Sequence, residues 1–315
     1  MRPAPRSRGF VPDRKTIRMN QKFIWIFVAT LLLVIVAIWS ANRQVQKNAD
    51  SPGKSSRQIR YSFTVKNTTN STAEDVSLWT YAPVGKTARQ TLKTIKSSHP
   101  YHLTRDCYGN RVLYFPLENI APFASKIITV KTDLLITQKP AKTACPDGCR
   151  EFLQQEFRVQ SRHPAIKARA SSLKRADRLA TAEAIYKWVS SHMEYSGYVK
   201  QQQGALYALT RGTGDCTEYM DLFAALCRAA GIPCRRVGGY ICERNTVLQP
   251  SGYHNWAEIY VNGQWRVADP WNRVFMEKDS VYIALHIIGD QCANPMKNHN
   301  LFRVCGQGIK AEMNS

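Results

Sequence analysis

The stretch from Phe23 to Trp39, "FIWIFVATLLLVIVAIW", runs for 17 residues without a charge. At about 1.5 Å of rise per residue, a helix of that length just reaches across the hydrocarbon core of a bilayer. Trp25 and Trp39 sit near its two ends, where amphipathic rings prefer the membrane interface. Residues 1–22 carry seven Arg and Lys residues against Asp13 alone. Such an excess belongs on the cytoplasmic side, which puts the chain from about residue 43 outward. A cleaved signal peptide is the alternative. The apolar run is long for that role, and Trp39-Ser40-Ala41 lacks the small residue a cleavage site needs. The expectation is a single-pass membrane protein with a basic cytoplasmic tail (1–22) and a transmembrane signal anchor (23–41). A polar linker (42–58) follows, and the rest of the chain is periplasmic or extracellular.

The formal net charge is +21. An excess of this size favours anionic surroundings, among them acidic cell-surface polymers, lipid head groups and acidic proteins. Nucleic acid is not an expected partner, because the anchor exports the domains and no zinc-finger spacing or RNA-binding aromatic signature is present. Nine cysteines in an exported chain permit disulfides. Cys145 and Cys149 flank a Pro-Asp-Gly turn and can close a short loop. Cys292 and Cys305 flank a polar stretch. Cys234 and Cys242 lie in "CRRVGGYIC"; as one strand that run holds them ~26 Å apart, too far to bond each other.

Strand signals fill residues 59–140. "YSFTVKN", "VSLWTYAP", "NRVLYFPL" and "SKIITVKTDLLI" are separated by Asn, Asp, Gly and Pro clusters, the spacing of a small antiparallel sandwich. Its expected role is structural. Asn67 and Asn70 match the glycosylation pattern. Residues 138–150 read as an inter-domain connection. "ADRLATAEAIYKWVSSHMEY" then has helical period, with Ile185, Trp188, Val189 and His192 on one stripe; His192 reads as a packed histidine. A second helix starts near Asp215 and ends near Ala230, with Gly231 and Pro233 as its stop signals. Strands take over again at "CRRVGGYIC", "HNWAEIYV", "QWRVAD" and "VYIALHII".

Cys216 stands where the polar loop "TRGTGD" turns into that second helix. A helix N-terminus carries free N–H groups and the positive end of the backbone dipole, and both favour a thiolate. Its partners follow from a turn. Asn262-Gly263 is the strongest short hairpin signal. With a two-residue turn Val261 pairs with Gln264, Trp256 lies opposite Asp269, and His254 lies opposite Trp271. Alternation then puts His254, Trp256, Asp269 and Trp271 on one face, with His254 and Asp269 as diagonal neighbours. A carboxylate on one imidazole nitrogen leaves the other free to act as base. With the thiol added, the set is a Cys-His-Asp triad for nucleophilic acyl transfer. Asp215 reads as the helix cap, Glu258 as an orienting group, Trp256 and Trp271 as walls, and Cys227 as a core residue.

"GTGDCTEYMDLFAALCRAAGIPCRRVGGY", followed by "HNWAEIYVNGQWRVADPW", resembles the transglutaminase-like superfamily, a branch of the papain-like cysteine enzymes. The Gly-Asp-Cys, His-x-Trp-x-Glu and Trp-x-x-x-Asp-Pro patterns match in order and spacing, over roughly residues 150–290. The β-rich stretch before them looks like the accessory domain of membrane-anchored bacterial members. The resemblance implies an α+β fold: a papain/transglutaminase-like core with the cysteine helix packed on an antiparallel sheet, after a small β-sandwich-like domain and one N-terminal transmembrane helix. Residues 291–315 are then a C-terminal extension. The catalytic residues it implies are Cys216, His254 and Asp269, with no organic cofactor. No metal-ligand set stands out in the sequence. Cys234 and Cys242 depart from the common pattern. The Cys216 backbone N–H is a reasonable first oxyanion donor, and the second stays open: Tyr207, Trp188 or a side chain elsewhere. The expected activity is thiol acyl transfer on a glutamine carboxamide or peptide amide of a protein or peptide substrate, completed by water or by an amine. The alternative is a non-catalytic surface module that binds an anionic polymer or a protein.

Overall fold

The computed structural model describes residues 53–198, 201–297 and 299–315. The tail, the anchor and the linker up to residue 52 lie outside the described residues. Among the described residues no helix is long and apolar enough to cross a membrane.

Alternation builds the first half of the fold. In β1 (Lys54–Asn67) Ile59, Tyr61, Phe63 and Val65 point inward and Arg60 and Lys66 outward. β1 pairs antiparallel along nearly its whole length with β6 (Ser125–Thr137), and β3 (Gln90–Ser97) lies beyond β6. The other edge of β1 takes the short parallel strand β10 (Thr246–Val247) and the antiparallel strand β16 (Ile309–Met313). The second sheet has the order β15 (Phe302–Cys305), β2 (Ala73–Ala82), β5 (Arg111–Ile120), β4 (His102–Arg105). Leu78, Leu113 and Phe115 from this sheet share one core with Phe63, Ile128 and Leu134 from the first. The β-sandwich is therefore as expected, with two corrections to its limits. Residues 54–58, read as linker, are strand: Arg57 occupies an inward position, donates to the Cys242 carbonyl and hides the alternation. Residues 291–315, read as an extension, supply β15 and β16, one strand to each sheet. These are four and five residues long, too short to show their period, and their partners lie more than 200 residues away. Asn67 is buried, and its amide donates to the carbonyls of Ser71, Ile120 and Ala121, so this match to the glycosylation pattern is a structural asparagine. Asn70 is exposed.

The second half is a five-stranded sheet with helices on one face. Its order is β13 (Val274–Phe275), β12 (Gln264–Asp269), β11 (Tyr253–Val261), β9 (Cys234–Ile241), β14 (Tyr282–Ile288). The helices are α1 (Pro164–Ser172), α2 (Arg178–His192), α3 (Ala205–Arg211) and α4 (Cys216–Ala229). A two-residue parallel pair, β7 (Glu194–Tyr195) and β8 (Thr213–Gly214), precedes α4. α4 is the central helix: Leu222, Phe223, Ala224, Ala225, Leu226 and Cys227 have no exposed surface, so it is buried nearly all round. Both ends are closed. Asp215 accepts from Thr217 N at 2.8 Å and Glu218 accepts from Asp215 N at 3.1 Å, a reciprocal capping box. At the other end Gly231 takes φ +76°, and Gly231 N and Ile232 N bond back to Arg228 O and Cys227 O at 3.1 and 2.9 Å. The helix packs on Ala257, Ile259 and Val261 of β11. The opposite face of the sheet presents Trp256, Val237 and Val267 to Val84, which follows β2 of the sandwich.

Polar groups fix helix to sheet. Arg236 of β9 is almost fully buried and donates to Asp221 of α4 at 3.1 Å, to Glu156 at 2.6 Å and to Asp290 at 3.2 Å. Arg228 of α4 approaches the same Glu156 oxygen at 3.2 Å and donates to the carbonyls of Cys234 and Gln154. Two guanidinium groups thus face three carboxylates. Burial pushes the Asp221 carboxyl up to about 7, against the pull of Arg236. Removal of one partner from such a cluster leaves uncompensated buried charge, at a cost of about 3–5 kcal/mol. Arg236→Ala is expected to lose at least about 3 kcal/mol in urea unfolding, and a loss under about 1 kcal/mol would show that the cluster does not hold helix to sheet.

Candidate active site

Cys216 is the first residue of α4, partly exposed and unbonded. It faces a cleft of about 1950 Å³ whose walls include Tyr195, Trp271, Tyr253 and Asp290. Four other cysteines form Cys107–Cys292 and Cys145–Cys149. Cys227, Cys234 and Cys242 are buried as free thiols, and Cys305 is partly exposed on the sandwich. The short Cys145–Cys149 loop is as expected. Cys292 pairs with Cys107 rather than with Cys305, and β9 keeps Cys234 and Cys242 apart as one strand.

The hairpin has the expected register. Val261 pairs with Gln264 and Ala257 with Ala268, and the ring contacts at its open end follow: His254 lies 5.2 Å from Trp271 and 6.2 Å from Trp256, centroid to centroid. His254 Nε2 meets Asp269 Oδ2 at 2.6 Å. That commits Nε2 to the carboxylate and leaves Nδ1 available to the Cys216 thiol, which is near enough to favour the charged imidazole. Both groups are shielded, His254 being 5% and Asp269 1% exposed. Burial opposes the charged imidazole, but the bonds to Asp269 and to Cys216 outweigh it and hold His254 up at about 9. Burial likewise opposes the Asp269 carboxylate, and His254 and Asn272 outweigh it and keep the group below its ordinary range. The close approach of β9 depends on Gly239, which pairs with His254. A side chain there would strike the Ile283 carbonyl at 2.1 Å and the Trp256 ring at 2.8 Å.

The structure adds residues that the pattern of the sequence did not single out. Asn272 donates to Asp269 Oδ2 at 2.8 Å and stands 3.1 Å from His254 Nε2, and its backbone N–H reaches Asp269 Oδ1 at 3.2 Å. The turn after Asp269-Pro270 was its one signal. Tyr282 of β14 donates to Asp269 Oδ2 at 2.9 Å and had no local signal, since two other strands separate it from β12 in the sheet. Asn255 donates to Thr217 Oγ1 at 3.0 Å. Thr217 adjoins Cys216 and Asn255 adjoins His254, so this bond ties the histidine strand to the cysteine helix at the level of the candidate residues.

Other expected positions fall away from the cleft. His192 is packed, stacked on Trp188 at 4.2 Å with its Nε2 at 3.1 Å from Leu209 O. Trp188 and Tyr207 are not among the residues that line the cleft. Glu258 binds Arg235 at 2.5 and 2.8 Å, and Trp256 Nε1 approaches it at 3.5 Å. Among the described residues no group of three or more His, Cys, Asp or Glu is arranged to hold a metal ion.

A histidine held above its unfolded value stabilises the fold while it is protonated. The contribution is fully present below about pH 6.5 and is lost as the pH rises through about 9. The stability difference between wild type and His254→Gln is therefore expected to narrow from about pH 6 to about pH 9.5 in urea unfolding; a gap that widens over that window refutes the assignment.

The matches to known proteins fall on this same region. Residues 166–270 match the model of the transglutaminase-like superfamily. Kyphoscoliosis peptidase of Mus musculus and that of Homo sapiens are each 27% identical over 100 residues, 29% of this chain. The match spans only 15% of the length of these relatives. A candidate cysteine protease from Cytophaga hutchinsonii superposes with a TM-score of 0.55 at 17% identity, covering 83% of this chain and 92% of the other. It shares the fold. Residues 166–270, from α1 to the proline after Asp269, are a domain of the transglutaminase-like superfamily.

Proposed function

We propose that the protein is a thiol acyl-transfer enzyme, a transglutaminase-like cysteine protease, amidase or cross-linking enzyme that acts outside the cytoplasm. One observation carries this reading: a free, partly exposed thiol at a helix N-terminus beside a buried His254–Asp269 pair 2.6 Å apart. Cys216 Sγ attacks the carbonyl carbon of a glutamine carboxamide or peptide amide, and His254 takes the thiol proton. The Cys216 N–H donates to the oxyanion. The C–N bond then breaks, the amine leaves with the proton from His254, and a thioester remains. Water or an amine attacks the thioester, His254 takes the incoming proton, and Cys216 is restored. Asp269 orients the ring throughout, held in turn by Asn272 and Tyr282.

Two further observations support the location and the outcome. The two disulfides suit an oxidising compartment, which agrees with an anchor at 23–41 and a cytoplasmic N-terminus. The relatives from mouse and human are named peptidases, which favours water as the second nucleophile. The acyl donor is a protein or peptide chain in this reading, which the cleft volume of about 1950 Å³ favours, since small-molecule sites run to about 300–1,000 Å³.

The test uses a glutamine-containing peptide, with and without a labelled primary amine, read by mass spectrometry. Cys216→Ala is expected to lose at least about 10³-fold in turnover and to give no thioester adduct. Asp269→Asn is expected to lose about 10²–10⁴-fold while the fold persists. Ammonia or peptide release without amine incorporation identifies a hydrolase, and incorporation identifies a cross-linking enzyme. A Cys216→Ala protein with full turnover would end the mechanism. Asn255→Ala is expected to slow alkylation of Cys216 at neutral pH by about tenfold and to cost about 1 kcal/mol of stability; equal rates would leave the Asn255–Thr217 bond without a role at the site.

A further inference from the structure

The outer face of the sandwich carries an arrangement of charge that its own residues do not balance. The register places Arg60 of β1 directly opposite Lys131 of β6, and Lys131 directly opposite Lys96 of β3. All three are exposed, so three cations stand side by side in one row across three strands. Neighbouring strands are about 4.8 Å apart, and like charges directly opposite each other are destabilising. Among the described residues none of the three has a salt-bridge partner. The next row holds a single acid, Asp133, which accepts from Gln58 at 2.7 Å and Thr94 at 2.6 Å. Those two bonds hold its carboxyl below the ordinary range, burial works against them, and Lys131 and Lys96 add a smaller pull. One acid thus faces three cations. Farther along the same face Lys66 stands opposite Lys310, with Glu312 opposite Thr64.

We infer that this face, β1–β6–β3, binds a linear acidic polysaccharide whose carboxylates lie across the row Arg60–Lys131–Lys96. Charge complementarity carries the assignment: the row costs stability in the free protein, and an anionic chain laid across it removes that cost. The surroundings fit a sugar. Polar groups rather than apolar ones flank the cations: Thr129 lies one row away on β6 opposite Ser62, while Ser62 and Thr64 bind Asn314, and Gln58 and Thr94 bind Asp133. No exposed aromatic ring lies on these three strands to stack a nucleobase. A bilayer contact calls for an apolar ridge, and the exposed large apolar residues here, Ile127 on β6 and Val247 on β10, lie at different rows. The inference is independent of the triad and stands whether or not the cleft is catalytic.

The full-length protein in neutral detergent is titrated with polygalacturonate over a range of salt concentrations. The triple variant Arg60→Gln/Lys96→Gln/Lys131→Gln is expected to bind on the order of tenfold more weakly at low salt and to show a shallower salt dependence. A control of equal charge loss, Lys139→Gln/Lys167→Gln/Lys174→Gln, is expected to change neither. Equal weakening by both triples means bulk charge alone, and no weakening by the first means no site; either result overturns the inference. Vesicles of phosphatidylcholine with phosphatidylglycerol provide the rival partner. If the first triple loses vesicle binding and keeps polygalacturonate binding, the face reads lipid and the inference fails. A readout without ligand accompanies these. Lys131→Gln, which removes the middle cation, is expected to raise the low-salt melting temperature slightly, and polygalacturonate is expected to stabilise wild type more than this variant. A lowered melting temperature, with no difference in ligand stabilisation, counts against a strained row.

Discussion

The Arg236 guanidinium is the fixed point of the half that carries Cys216 and His254. It sits between α4, which carries the thiol, and β9, the strand beside the one that carries the imidazole. Asp221 is five residues from Cys216 on the same helix, and Gly239, three residues from Arg236, pairs with His254. A helix that slid along the sheet would have to part a buried cation from three carboxylates, so Cys216 and His254 keep their relative positions. Apolar packing of α4 on Ala257 and Ile259 supplies contact area but little direction, because such contacts tolerate small displacements. The charged cluster supplies the direction. Asp221, the most enclosed of the three acids, is pushed up to about 7 by burial, with Arg236 pulling the other way.

The same division of labour holds around Asp269. Its carboxylate accepts from His254, Tyr282 and Asn272, drawn from β11, β14 and the turn after β12. Each donor fixes the plane of the carboxylate, and the carboxylate fixes the ring. Such a group is shielded from water yet fully occupied, so it stays ionised where burial alone would neutralise it. The imidazole beside it keeps its proton to higher pH than a free histidine does, up to about 9.

How much of this could be read from the residues depended on the range of the interactions. The hairpin at Asn262-Gly263 is local, and a two-residue turn dictates its register, so the His254–Asp269 pair followed from alternation alone. The limits of α4 followed from Asp215 and Gly231 for the same reason. Arg57 shows where period-two reasoning breaks down: a buried arginine in an inward position makes a strand look like linker. Tyr282 shows a second failure, because its bond to Asp269 depends on the strand order of a whole sheet. The partner of Cys292 was equally out of reach, since Cys107 is 185 residues away and spacing says nothing about such a pair.

β15 and β16 have a consequence for the order of assembly. The first sheet joins Phe63 to Met313, and Thr64 bonds Asn314 across 250 residues of chain. The sandwich is thus a discontinuous unit, opened by β1 to β6 and closed only by strands that follow the entire catalytic segment. During synthesis its first strands must wait, with the edge of β1 and the edge of β2 unpaired, while about 160 residues of helix and sheet are made. Loop closure over that distance is slow compared with local pairing. The transglutaminase-like segment, whose helices and hairpin pair mostly with near neighbours, is therefore expected to fold while the sandwich is still incomplete, and the last strands to complete its two sheets.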